Sequence, residues 1–80
     1  MVVVIMHALL EEVRLVSQLP RPEHARAVRV RAKVSLRRLA QELGVHEITV
    51  HRWETGTSHP RGRVLLRYAE LIDALQKVGA

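Results

Sequence analysis

Residues 38–56 read RLAQELGVHEITVHRWETG. Leu39, Ala40 and Leu43 are apolar at helical spacing, Gly44 interrupts them, and a second short run carries Val50 and the single tryptophan, Trp53. Helices this short are not stable alone, so both belong to a larger packed unit. The stretch also comes close to a zinc-protease signature. His46-Glu47-Ile48-Thr49-Val50-His51 is H-E-x-x-H with one residue too many. Two zinc ligands on one helix need i, i+4 spacing, and at i, i+5 the two histidines diverge by about 140°. No convincing third ligand stands nearby. No metal is expected, and no nucleophilic triad, glycine-rich phosphate loop or carboxylate pair stands out. The chain reads as neither an enzyme nor a cofactor carrier.

Ser35 is placed to cap the first of the two helices. Leu36, Leu39, Ala40 and Leu43 then follow at i, i+3, i+4 and i+7, and Gly44 suits a left-handed helix end. The second helix spans about residues 47–54, with Val50 and Trp53 on one face and Ile48 about 160° from Val50. Gly56 closes it, residues 57–62 form a loop, and a last helix runs over about residues 63–77. On that helix Val64, Tyr68, Leu71, Leu75 and Val78 form a seam that Leu65, Ala69 and Ile72 widen.

Upstream, Pro22 can open a helix at its first position, with Ala25, Val28 and Ala32 on the buried side. Leu19-Pro20-Arg21-Pro22 breaks an earlier helix, in which Met6, Leu9, Leu10, Val13 and Val16 recur at helical spacing up to about residue 17 or 18. Residues 2–5, all β-branched, read as a short N-terminal strand or an extended arm. The expected architecture is all-α with five helices. Residues 1–19 form an arm and helix, and residues 20–80 form the main domain.

A chain of 80 residues makes one domain. It has no Phe and no Cys, so Leu, Val, Ile and Ala must build the core, and disulfides and thiolate metal sites are excluded. The net charge of +5 is uneven. Residues 21–67 carry 11 Lys and Arg against 4 Asp and Glu, whereas each end is slightly negative. A basic block between near-neutral ends suits a polyanion. The apolar opening, residues 2–6, falls far short of the roughly 20 residues of a membrane span. It lacks a basic start and leads into Glu11 and Glu12, so no secretory signal is expected. His7, His24 and His59 have no spacing that argues for more than a surface place.

Ser35, Leu39, Ala40, Leu43-Gly44-Val45, Val50, Trp53-Glu54, Gly56 and Pro60 together resemble the helix-turn-helix of the phage-repressor (Cro/C1, or XRE) family. The resemblance covers about residues 22–75. It implies a five-helix bundle of the lambda-repressor-like type and sequence-specific binding of double-stranded DNA by a small transcriptional regulator, a repressor or Cro-like protein. The recognition helix, about residues 47–54, would lie in the major groove.

Carried over by position, Glu47, Ile48, His51 and Arg52 would read bases. Arg52 can fork onto guanine, Glu47 can accept from cytosine and Ile48 can pack on a thymine methyl. Arg37, Arg38, His46, Thr49, Arg61 and Arg63 would hold phosphates, with Arg67 beside them. Ala40, Gly44, Val50 and Trp53 would fix the two helices, and Arg29 would pair with Glu54. Two departures stand out. Family members often carry Gln at the position of Leu36, and acidic residues where this chain has Arg37 and Arg38. Phosphate contacts would then fall to those arginines.

One recognition helix reads few base pairs, so the resemblance implies a homodimer on a palindromic operator. Residues 1–19 and the outer seam of the last helix (Val64, Leu71, Val78) are left for self-association. The same core would serve an antitoxin whose apolar arm, residues 2–6, masks a toxin, or a recombination accessory factor. A cytoplasmic, nucleoid-associated place without membrane contact follows from the same resemblance.

Overall fold

The computed structural model describes the backbone of residues 2–79 and the side chains of residues 6–78. Five helices follow one another: α1 (Val2–Gln18), α2 (Pro22–Arg31), α3 (Leu36–Leu43), α4 (Glu47–Glu54) and α5 (Gly62–Gly79). No strand occurs among the described residues. The all-α expectation holds, with one correction. Residues 2–5 are neither strand nor extended arm but the first turn of α1. Each β-branched residue costs a helix only about 0.5 kcal/mol relative to Ala, and a helix already set by Met6 to Val16 extends through them. Their side chains lie outside the described residues.

Local chemistry explains the short helices. The Ser35 hydroxyl accepts from the Arg38 N–H at 3.0 Å and caps α3. Three helices end in the same way. After α2, the Val34 N–H donates to the Arg29 carbonyl and Lys33 to Val30; after α3, Val45 donates to Ala40 and Gly44 to Gln41; after α4, Thr57 donates to Arg52 and Gly56 to Trp53. Each closure puts one residue in the left-handed region. Gly44 (φ 71°) and Gly56 (φ 78°) occupy it at no steric cost, whereas after α2 the residue is Lys33, at φ 61°.

Ala25 and Val28 of α2, Leu39, Ala40 and Leu43 of α3, Val50 and Trp53 of α4, and Tyr68 and Ile72 of α5 form one buried cluster. The rings of Trp53 and Tyr68 meet at 4.9 Å, tilted by 55°. The two aromatics thereby do the work of a larger core. On α5 the fully buried line is Leu65, Tyr68 and Ile72, while Val64 and Leu71 are half-buried and Val78 is 80% exposed. The seam through 64, 71 and 78 therefore flanks the core instead of centring it.

Among the described residues α1 packs on α5 alone. Ala8 and Leu15 line that junction with Leu65 and Leu66. Glu12 Oε1 accepts from the Gly62 N–H at 3.2 Å, placing a carboxylate at the positive end of the α5 dipole. No helix is long and apolar enough to cross a membrane among the described residues.

Candidate nucleic-acid interface

The two faces of α4 have opposite character. Val50, Trp53 and Glu54 are buried, and Ile48, His51 and Arg52 are exposed, with Glu47 and Thr49 half-buried at the margins. Ile48 is 44% exposed, large for an apolar residue on a helix tied so closely to a core. Glu47 also lies in the first turn of α4, where its charge suits the helix dipole. The four candidate base-reading residues therefore lie side by side on one accessible surface.

His46 caps this helix. Its Nδ1 accepts from the Ile48 N–H at 3.2 Å. An accepting Nδ1 leaves the proton of a neutral ring on Nε2, so the exposed side of His46 is a hydrogen-bond donor. That suits a phosphate oxygen beside the helix N-terminus.

Arg29 holds α4 from behind. Its Nε donates to Glu54 Oε2 at 2.6 Å and its Nη2 to Oε1 at 3.0 Å, a two-pronged contact. The remaining prong, Nη1, donates to the Val34 carbonyl at 2.8 Å. One buried guanidinium thus joins α2, the α2–α3 turn and the end of α4. Tyr68 packs nearby, and burial pushes its phenol up to about 12, with Glu54 adding to the shift and Arg29 opposing it.

The candidate phosphate residues spread around α4. Arg37 and Arg38 are exposed on the first turn of α3, and Arg38 Nη1 reaches Glu42 at 3.1 Å on the surface. A pair this exposed is worth little and leaves the guanidinium free to exchange partners. Thr49 sits one residue inside the exposed arc. Arg61 and Arg63 flank Gly62, beside the Glu12 carboxylate. Arg67 is placed differently: its Nη2 donates to the Glu42 carbonyl at 2.6 Å, tying α5 to the end of α3.

Ala40 is buried in the core that α3 and α4 share, and Gly44 serves the turn between them through its left-handed backbone, since a Cβ there would meet nothing within 4 Å. The capping role of His46, the Glu12 contact and the Arg67 tether were not anticipated. A histidine before an apolar-periodic run is a weak capping signal, and the other two are contacts across the fold that leave no local pattern.

A protein-family model described as a helix-turn-helix domain matches residues 23–78. The matched span covers α3, α4 and nearly all of α2 and α5, and leaves α1 outside. No curated protein and no solved structure matches the chain.

Proposed function

This chain belongs to the helix-turn-helix domain family, and from that membership we propose that it is a small, non-catalytic transcriptional regulator that binds double-stranded DNA sequence-specifically. In this reading α4 enters the major groove, and Glu47, Ile48, His51 and Arg52 meet base edges. Arg37, Arg38, His46, Thr49, Arg61 and Arg63 hold the phosphates on either side. Two copies bind a palindromic operator, each reading one half-site. The observation that carries the reading is the divided α4: a charged and apolar face left open on a helix whose other face is locked by Val50, Trp53 and the Arg29–Glu54 pair.

The test separates reading from holding. An operator is first selected from random duplex DNA with the purified protein, and then a library of its single substitutions is bound by two variants. Arg52→Ala flattens preference at one base pair, removing about 1–3 kcal/mol of discrimination. Arg38→Ala weakens cognate and scrambled DNA alike. If Arg38→Ala alters base preference and Arg52→Ala does not, α4 is not the reading helix.

A further inference from the structure

Most of the periodic apolar residues of α1 do not face the protein that carries them; Val16 alone lies at the edge of a cleft lined by Ala25, Trp53 and Tyr68. Met6, Leu9, Leu10, Val13 and Val16 are between 49% and 60% exposed, while α5 is met by Ala8, Glu12 and Leu15 from a different side of the helix. No charged side chain interrupts this stripe, and α1 touches no helix other than α5 among the described residues. Five half-exposed side chains of this size make an apolar patch of roughly 400–500 Å², at the upper end of what a monomer leaves open.

We propose that this face of α1 is the contact between two copies of the chain, paired antiparallel about a two-fold axis near residue 11. The spacing of the stripe supports a second copy over a different partner. Reversed about residue 11, Met6 falls opposite Val16 and Leu9 opposite Val13, so each of these residues meets an apolar one across the axis. Two patches of this area bury roughly 800–1,000 Å² together, which reaches the lower limit for specific association of about 1,000 Å². Arg14 is the only Lys or Arg of α1, so the helix lacks the basic face that would suit an anionic membrane surface. Because α1 packs on α5 and not on α3 or α4 among the described residues, the pairing leaves the exposed side of both copies of α4 uncovered.

The proposal deepens the two-fold reading above by naming its surface. Its test is run without DNA, so that failure of DNA binding and failure of this contact are seen separately. Sedimentation equilibrium at tens of micromolar should find the parent chain dimeric. Leu9→Glu and Val13→Lys, each made alone, should be monomeric, with association weakened by about a hundredfold or more, because each two-fold contact would then bury two like charges. Mixed in equal amounts, the two variants should form a dimer again, because the antiparallel register brings the acidic substitution of one chain to the basic substitution of the other. Circular dichroism of both variants should match the parent, since the positions are exposed in the single chain. A monomeric parent, single variants as dimeric as the parent, or a mixture that stays monomeric would each overturn the proposal. The first of these would leave the face to a different protein, as an antitoxin requires.

Discussion

Arg29 shows how much one side chain can be asked to hold. All three of its contacts lie within the fold, and the Glu54 side chain opposite it is almost wholly buried. Removing one member strands the other charge away from water, which typically costs about 3–5 kcal/mol. Arg29→Met should therefore lower the unfolding midpoint in urea sharply, followed by the emission of Trp53. Arg29→Met combined with Glu54→Leu should recover part of the loss, because no charge is then stranded. Tyr68 offers a second reading of the same interior. It is the only tyrosine, so its ionisation can be followed alone by absorbance near 295 nm. Burial pushes it up to about 12, above the ordinary value of 10.0 for a tyrosine. The protonated phenol is thus favoured by folding. The associated stability is fully present below pH 10 and is lost as the pH rises from there towards 12, by about 2–3 kcal/mol in all. A midpoint near 10 in the folded protein would mean that the phenol is hydrated.

At the scale of the element, three helices close alike and two of them use glycine. Lys33 bears a left-handed conformation that costs an L-residue about 1–2 kcal/mol, partly offset because glycine gains more freedom when unfolded. Lys33→Gly should raise stability by roughly 0.5–1 kcal/mol, and Gly44→Ala should lower it by about 1 kcal/mol, both measured by urea unfolding. Loss of stability in Lys33→Gly would mean that the lysine side chain contributes more than its backbone strain removes. These closures also show what could be read in advance. Gly44, Gly56, Ser35 and Pro22 announce their roles because each has a conformational or capping property that few residues share. Lys33 announces nothing, since the turn is imposed on it by the helices on either side. The start of α1 departs from its β-branched sequence for a related reason: the β preference of residues 2–5 is small beside the cooperativity of an adjoining helix. In α1 the sequence reveals a stripe, and periodicity alone cannot say what covers it. On α4 the outward direction of Ile48 follows from its angle to Val50, whereas the choice of Glu47, His51 and Arg52 as its partners follows from the resemblance alone.

Across the whole molecule, the span from 21 to 67 carries eleven basic residues against four acidic ones, which gives it a positive field. If several of them neutralise phosphates, the logarithm of affinity for duplex DNA should fall with the logarithm of salt at a slope of roughly −0.9 per contact. Arg37→Ala should reduce that slope by about one unit. An affinity indifferent to salt would remove DNA from the account. The attachment of α1 to α5 alone has a further result, in time rather than in space. A helix that, among the described residues, is held by one neighbour and adds nothing to the buried cluster joining α2 to α5 should open without the rest. Its amides should exchange with deuterium well before those of α3 and α4, as a separate cooperative unit. Raising the protein concentration should slow that exchange in α1 and leave the remainder unchanged, because each opening would then have to break a contact between two molecules as well as one within a molecule.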